Sequence, residues 1–464
     1  MTAGITAREV ALRVLWRVEV DRAFADVQLD AELGRSRLAQ RDRRLATELV
    51  YGTLRWRLFL DWVLEQVAGR QMGALPAWIR NILRLGAYQL LFLERIPPWA
   101  ACNVSVELAK KYGHRGTAAL VNAVLRRLAR QRHSPPQPPA GGDPDSLAIR
   151  YSHPAWAVRE WQRWLGEETT LALLEANNRQ APAVVRANLL RCTREELRRR
   201  LGEEGVRAEA LAGAPEAMVL ASGTAPVYTR AWREGLFTPQ DLSSMVAARA
   251  LEPQPGQLLI DACAAPGGKA THLAELAGDR ARVLAVDVHP QRLQLVGENA
   301  RRLSLTSLEL VGQDARRLPE NWRGQADGVL VDAPCSGLGL FRRHPDARWR
   351  KEPGLVTALA DLQLEILCAA AECLRPGGLL LYSVCTLTRA ETEGVTQRLE
   401  SLRPDLVPVS LKGLGTELLD GCPGAERGKV LLLPHLHGTD GFFLARYRRK
   451  EGFHGFQHPR SGPR

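Results

Sequence analysis

Apolar residues recur three and four positions apart through the first part of the chain, as in VALRVLWRV, LATELVYGTLRWRLFLDWVLEQV and IRNILRLGAYQLLFLERI. This spacing puts apolar side chains on one face of a helix. It predicts an all-α helical bundle over residues 1–132. The next run, HSPPQPPAGGDPDS at residues 133–146, is rich in Pro and Gly and cannot continue a helix, so it is predicted to be a linker.

The pattern is mixed over residues 147–232. Helix-like stretches such as WAVREWQRWL and EELRRRL alternate with strand-like ones, AVVRANLL, AMVLAS and APVYTR. Helix-like and strand-like spacing of apolar residues within one short region predicts a small α+β domain.

Strands alternate with helices over residues 233–449. The strand-like stretches are QLLIDA, RVLAVDV, LELVG, GVLVDA, GLLLYSV, KVLLLP and GFFLARY. Such alternation predicts a Rossmann-like α/β domain, with a parallel sheet covered by helices on both faces. Ligands of such sheets bind at the carboxyl ends of the strands. Residues 450–464 form a basic tail.

The charge balance favours a polyanionic partner. The formal net charge is +12, which suits nucleic acid, although a GC-rich genome would also explain the excess of arginine. No stretch approaches twenty uninterrupted apolar residues, and Arg8, Glu9 and Arg13 interrupt the start, so we expect a cytoplasmic protein without a membrane segment. Eight cysteines without a CxxC pair or a His-rich cluster predict neither a disulfide scaffold nor a metal site.

A loop of small residues follows the first strand of the α/β region, directly after Asp261. It lacks both the GxGxxG dinucleotide fingerprint and the GxxxxGK[ST] phosphate loop, so NAD and ATP are disfavoured. Its backbone lets a small nucleoside ligand approach closely. The predicted cofactor-binding residues of the loop are Cys263, Ala264, Ala265, Pro266, Gly267, Gly268 and Lys269.

Two acidic residues stand at later strand ends. Asp287 ends RVLAVDV and is placed to accept hydrogen bonds from two ribose hydroxyls. Asp314, in VGQDA, suits the exocyclic amine of adenine. Either residue alone is more often a helix cap or turn residue. Together with the small-residue loop they predict an adenosine site.

Two thiols are predicted at the same edge of the sheet. GVLVDAPCSGLG brings Asp332 and Cys335 there, and LLLYSVCT brings Cys385. Reactive cysteines occupy such exposed strand-end loops. The remaining cysteines outside the loop are interpreted as small apolar residues, namely Cys102, Cys192, Cys368, Cys373 and Cys422.

A thiol pair beside an adenosine site suits methyl transfer to a pyrimidine carbon. C5 of cytosine is a poor nucleophile, but addition of the Cys385 sulfur at C6 makes an enamine whose C5 attacks the methyl group of S-adenosylmethionine. Asp332 is placed to hydrogen-bond N3 as the ring accepts sulfur. Cys335 would help to remove the C5 proton and release the enzyme.

These motifs resemble those of the bacterial Sun/NOL1/NOP2 class of RNA 5-methylcytosine methyltransferases. DACAAPGGKATHLAEL, DAPCSGLGLFRRHPDARWR and YSVCTLTRAETE are similar to its cofactor loop, its Asp-Ala-Pro-Cys motif and its nucleophile motif. RDRRLATELVYGTLRWRLFLDWVL and RIPPWAACNVSVELAKKYG are similar to the NusB-like bundle that precedes the catalytic core in some members. One departure is Arg389-Ala390-Glu391-Thr392 in place of the usual Pro-Glu-Glu-Asn, in which Glu391 keeps the acidic position.

The resemblance implies that Cys385 is the nucleophile, that Cys335 aids release, and that the loop with Asp287, Asp314 and Asp332 lines the cofactor and base pocket. It also implies 16S ribosomal RNA, free or partly assembled, as substrate of a monomeric enzyme with no membrane partner. Transfer RNA or large-subunit RNA remains an alternative substrate. A catalytically decayed NusB-like RNA-binding factor is a second alternative, disfavoured by the intact cysteines.

Overall fold

The computed structural model describes residues 6–221 and 226–452, which form two compact units. One unit contains the chain up to Gln180 together with Leu340–Glu352, and the other contains Ala181–Gly339 and the chain from Pro353 onward. Most of the basic tail predicted at residues 450–464 lies outside the described residues.

The helical unit opens with the bundle that the apolar spacing predicts. Its helices are α1 Ala7–Val20, α2 Ala25–Arg35, α3 Gln40–Arg55, α4 Arg57–Ala68, α5 Ala77–Phe92, α6 Pro98–Tyr112 and α7 Arg115–Arg130. Thr6 caps α1 by accepting a hydrogen bond from the Glu9 backbone N–H. The apolar faces meet in one core, in which Leu12, Leu49 and Leu60 are fully buried.

Three more helices belong to this unit, α8 Pro144–Tyr151, α9 Ala155–Leu165 and α10 Glu167–Asn178. Residues 135–142 before them form no helix or strand. The segment Leu340–Glu352, distant in sequence, packs in the same unit through Arg348. The Arg348 side chain is 1% exposed and donates hydrogen bonds to the backbone oxygens of Arg55, Ser152 and Asn177.

The second unit begins with a small antiparallel sheet in the order β2-β3-β1-β4. Its elements are β1 Ala183–Ala187, α11 Arg194–Glu203, β2 Ala208–Ala210, β3 Ala217–Leu220, α12 Arg230–Arg233 and β4 Phe237–Pro239. The strand predicted in APVYTR is wrong, since residues from Pro226 form a 3-10 turn, Pro226–Tyr228, that leads into α12. β4 lies beyond the predicted limit at 232, and residues 147–180 group with the helical unit. The division of the chain into five parts stays a prediction.

The large sheet confirms the predicted Rossmann-like domain. Its elements are α13 Leu242–Arg249, β5 Leu258–Asp261, α14 Gly268–Leu276, β6 Arg282–Asp287, α15 Pro290–Leu303, β7 Leu308–Gly312, β8 Ala326–Asp332, α16 Pro353–Cys373, β9 Leu374–Val384, α17 Val395–Leu402, β10 Leu406–Pro408, α18 Glu417–Asp420, β11 Lys429–Leu432, α19 Pro434–His437 and β12 Phe442–Arg449. The strand order is β10-β12-β9-β8-β5-β6-β7, and β11 pairs with β12. β5 to β9 are parallel, whereas β10, β11 and β12 are antiparallel to their neighbours.

The chain path creates a crevice beside β5. It runs outward from β5 through β6 to β7 and then returns to β8 on the other side of β5. A crevice outside the carboxyl ends of the strands at such a switch point is the usual ligand site of an open α/β sheet.

Helix α16 is the one helix of the described residues that is long and apolar enough, by length and composition, to cross a membrane. It packs against the sheet, and its buried residues Leu364, Leu367 and Ala371 join the core that contains Val329 and Leu380. Burial in the sheet core accounts for its apolar composition.

Candidate active site

The small-residue loop connects β5 to α14 and is fastened to the neighbouring strand. The Ala264 backbone N–H donates to the Val286 oxygen over 2.8 Å. Gly267 adopts a left-handed φ of +106°, and a Cβ there would lie 3.0 Å from Cα of Val296 in α15. Glycine at this position therefore permits both the turn and the close approach of α15.

Asp261 ends β5 beneath this loop, with a carboxylate that is almost fully buried. No side chain of the described residues hydrogen-bonds this carboxylate, and the Cys263 backbone N–H faces it. Burial, reinforced by the negative charge of Asp332, raises the pKa of Asp261 to about 7. A buried carboxylate without a side-chain partner is costly, so this side chain suits a ligand that brings a cation or a donor.

Lys269, the last residue of the loop, forms an ion pair with Asp332 at the end of β8. Nζ lies 2.7 Å from Oδ2 of Asp332, while Oδ1 accepts a hydrogen bond of 2.8 Å from the Ser383 hydroxyl. Burial lowers the pKa of Lys269, but the Asp332 carboxylate outweighs burial and leaves that pKa raised. The Lys269–Asp332 ion pair thus connects the loop to the end of β8, and the Ser383 hydrogen bond connects Asp332 to β9.

The two predicted cysteines meet. Sγ of Cys335 lies 3.2 Å from Sγ of Cys385, and both side chains are partly exposed. The hydrogen bond to Cys385, followed by burial, raises the pKa of Cys335 well above its usual range. Either sulfur can be the donor in this contact. The Lys269 ammonium also interacts electrostatically with Cys385.

The loop after Cys335 packs tightly on the loop that begins at Cys385. Gly339 donates its backbone N–H to the Cys385 oxygen over 3.1 Å and accepts from the Gly441 N–H over 3.0 Å. A Cβ at Gly339 would lie 1.9 Å from the Gly441 oxygen. Only glycine permits this contact.

The structure places the other predicted residues at separate strand ends. Asp287, at the end of β6, is 6% exposed, and its Oδ1 accepts from the His289 N–H over 2.8 Å. Asp314, after β7, is already engaged by Arg316, whose Nη2 lies 2.7 Å from Oδ2. Hydrogen bonding to Arg316 lowers the pKa of Asp314, so any contact with adenine has to share this carboxylate.

Cys263 lies within the loop, where the positive charge of Arg292 acts on its thiol but is outweighed. Burial, followed by the negative charges of Asp261 and Asp332, raises its pKa. It stays a neutral thiol, and only its backbone and its small size remain available for cofactor binding.

Arg186, which the sequence analysis did not single out, supports the loop from the small sheet. Its fully buried guanidinium binds both carboxylate oxygens of Glu275 in α14, over 2.9 and 2.8 Å, and donates to the Gly268 oxygen over 2.6 Å. The sequence feature that could have identified Arg186 is a charged residue within the otherwise apolar strand AVVRA. Ser383, a polar residue at the end of the apolar stretch LLLYSV, was likewise not predicted to belong to the site.

A relative from Bacillus subtilis (strain 168), named "Probable ribosomal RNA small subunit methyltransferase B", is 38% identical over 448 residues, which cover 96% of this chain and 99% of the relative. The chain belongs to the RsmB/F family of 16S rRNA methyltransferases. The family described as "16S rRNA methyltransferase RsmB/F" matches residues 248–448, the NusB family matches 5–130, and the RsmF/B-like ferredoxin-like domain matches 153–227. The resemblance drawn from the motifs and the three-part fold are confirmed.

Two solved structures match large parts of this RsmB/F chain. PH0851 has a TM-score of 0.81 at 25% identity and covers 97% of this chain and 100% of its own. NSun6 from Pyrococcus horikoshii with SFG has a TM-score of 0.58 at 25% identity and covers 64% of this chain and 98% of its own. Both likenesses agree with the family assignment.

Proposed function

We propose that this chain transfers a methyl group from S-adenosylmethionine to C5 of a cytosine in 16S rRNA, through a covalent bond between Cys385 and C6 of the base. The family membership supports methylation of ribosomal RNA. The single observation that carries the choice of atom is the pair of thiols 3.2 Å apart at the strand ends. Nitrogen and oxygen acceptors have lone pairs and need no sulfur nucleophile, whereas a pyrimidine carbon needs one.

The crevice beside β5 fits this cofactor, which carries an ammonium and a sulfonium cation. Asp261 offers a buried carboxylate that no side chain hydrogen-bonds, and Oδ2 of Asp287 lies 3.9 Å from the Arg292 guanidinium. When bound, S-adenosylmethionine supplies an electrophilic methyl group. The related NSun6 structure carries SFG, an analogue of this cofactor, which supports the assignment.

In the first step the Cys385 sulfur adds to C6, so that a sulfur–carbon bond forms and the C5–C6 double bond opens. The Cys335 thiol, 3.2 Å away, and the Lys269 ammonium lie beside the sulfur that attacks. The displaced electron pair moves to N3 and leaves a double bond between C4 and C5. The Lys269–Asp332 pair, which holds a proton on Lys269, supplies the hydrogen bond or proton that N3 then needs.

After C5 has gained the methyl group, its proton must leave so that the C5–C6 double bond reforms and expels the sulfur. The charge of Cys385 and the hydrogen bond to it are two of the leading causes that raise the pKa of Cys335. Both disappear once the Cys385 sulfur is bonded to carbon. Cys335 then loses its own proton to solvent more readily, and its thiolate takes the proton from C5.

Bisulfite sequencing tests the proposal in a strain that lacks the gene and carries either the wild type, Cys385→Ala or Cys368→Ala. We expect one cytosine of 16S rRNA to be protected from bisulfite conversion in the strains that carry the wild type or the Cys368→Ala control. The strain that carries Cys385→Ala should not protect it. Protection by Cys385→Ala would overturn the covalent mechanism. Protection found only in transfer RNA or 23S rRNA would overturn the substrate.

A further inference from the structure

One buried carboxylate lies between the two cysteine loops. Glu391 is 0% exposed and stands in a turn of π-helix, Ala390–Gly394, six positions after Cys385. Its partners among the described residues are all neutral. A buried carboxylate without a cation is costly unless hydrogen bonds satisfy it, and here neutral donors supply them.

Glu391 binds the residue next to Cys335 at two points. Oε1 accepts a hydrogen bond of 2.8 Å from the Ser336 backbone N–H, and Oε2 accepts one of 2.5 Å from the Ser336 hydroxyl. These two bonds fix both the backbone and the side chain of the residue that follows the thiol.

Glu391 also binds the loop that carries Cys385. Oε2 lies 3.2 Å from Oγ1 of Thr386, the next residue, and accepts a hydrogen bond of 2.9 Å from Oγ1 of Thr388. The hydroxyls of Ser336 and Thr386 are themselves 2.6 Å apart. One carboxylate therefore joins the residues that directly follow the two thiols.

A third segment holds this carboxylate in place. Nε2 of Gln363, on α16, donates to Oε1 of Glu391 over 3.0 Å and to the Pro334 oxygen over 2.9 Å. Gln363 and Glu391 are both fully buried. A residue that only capped its own turn would not need partners on three segments.

We propose that Glu391 is a positioning residue that holds the Cys335 and Cys385 loops so that their sulfurs meet. Its catalytic consequence rests on the proposed function, whereas its effect on the spacing of the thiols does not. A carboxylate is needed because two acceptor oxygens face N–H and O–H donors on every side. A glutamine would turn an NH₂ group toward some of those donors.

The spacing of the thiols is measured with phenylarsine oxide, whose trivalent arsenic bonds two neighbouring sulfurs and releases water. The variants are Glu391→Gln and the control Glu393→Gln, two positions later, where the side chain is 43% exposed and pairs with Arg389. We expect Glu391→Gln to weaken arsenical binding by about tenfold, because the preorganised pair is lost. Glu393→Gln should bind like the wild type.

Kinetics separate positioning from general loss of stability. Glu391→Gln should lower kcat by about 100-fold, as expected for a small misplacement of reacting atoms, with KM for RNA and for S-adenosylmethionine nearly unchanged. Ser336→Ala, which removes only the hydroxyl link, should shift arsenical binding and kcat in the same direction by less. Should Glu391→Gln not fold, Ser336→Ala combined with Thr386→Val provides the same test.

Arsenical binding by Glu391→Gln equal to that of the wild type, in folded protein, would overturn this inference. Weaker arsenical binding together with normal methylation by Cys385→Ala would leave the inference standing and remove the proposed function instead.

Discussion

Nζ of Lys269 and Oδ2 of Asp332 lie 2.7 Å apart where α14 begins and β8 ends. The same ammonium group interacts with Cys385, so one cation serves a carboxylate and a sulfur. Nζ also lies 5.3 Å from the centre of the Phe442 ring, whose face favours a cation. The Lys269 ammonium therefore interacts with Asp332, Cys385 and Phe442.

Replacing Lys269 with methionine removes the cation but keeps most of the apolar stem. We expect iodoacetamide to react with Cys385 about tenfold more slowly at neutral pH, because the reaction needs a thiolate and the variant lacks the nearby cation that interacts with this sulfur. Mass spectrometry of the Cys385 peptide measures the rate. Lys412→Met, where the ammonium pairs with exposed Glu426, is the control, and an unchanged rate in Lys269→Met would contradict the prediction.

Asp261 should make the binding of S-adenosylmethionine depend on pH. Its pKa is raised to about 7 by burial and by Asp332, and a bound cation would favour the ionised form. Binding should therefore release a proton below pH 7 and become tighter as the pH rises through 7. Titration calorimetry in buffers of different ionisation enthalpy measures the proton release, which Asp261→Asn should abolish.

Asp261 should also make folding less favourable at higher pH. The folded chain keeps this proton up to about pH 7, whereas the unfolded chain loses it near the ordinary value of 3.8. The contribution of this residue to the free energy of unfolding therefore falls as the pH rises from about 4 to about 7 and then stays level. Urea denaturation of wild type and Asp261→Asn at several pH values should show the variant gaining stability relative to the wild type across that range.

Replacing Cys335 with alanine should trap the protein on its substrate. If the thiolate of Cys335 takes the C5 proton, its loss leaves Cys385 bonded to C6 after the methyl group has been transferred. We expect a slowly migrating protein–RNA band on a denaturing gel with Cys335→Ala. The double variant Cys335→Ala, Cys385→Ala should give no such band, and turnover of Cys335→Ala at the wild-type rate would refute the assigned role.

Arg348 should be a large contributor to the stability of the helical unit. Replacing it with methionine leaves the backbone oxygens of Arg55, Ser152 and Asn177 without their donor. We expect a loss of about 3 kcal/mol in the free energy of unfolding, since buried acceptors without partners are costly. Arg159→Met, at an exposed pair with Asp145, should change the free energy little in the same urea titration.

The sequence motifs predicted which residues meet at the strand ends. The hydrophobic pattern was less successful for some of the elements and contacts around them. Local spacing was enough for Cys335 and Cys385, because consecutive strands of a parallel sheet end at the same edge. It gave no indication that Arg186 would reach α14 or that Gln363 would reach Glu391, since both contacts join segments far apart in sequence. The strand in APVYTR failed because a proline cannot donate to a sheet ladder.

Leu340–Glu352 packs among helices although it follows the Asp332 and Cys335 motif in sequence. The helical unit is consequently not encoded by one continuous segment of the sequence. A fragment that stops at Gln180 would expose the groups that Arg348 satisfies, and a free-standing NusB domain grafted in its place would have to accommodate a peptide encoded some 160 positions downstream. Insertions or deletions between Gly339 and Pro353 therefore change a segment that belongs to the helical unit although the chain on both sides of it belongs to the other unit.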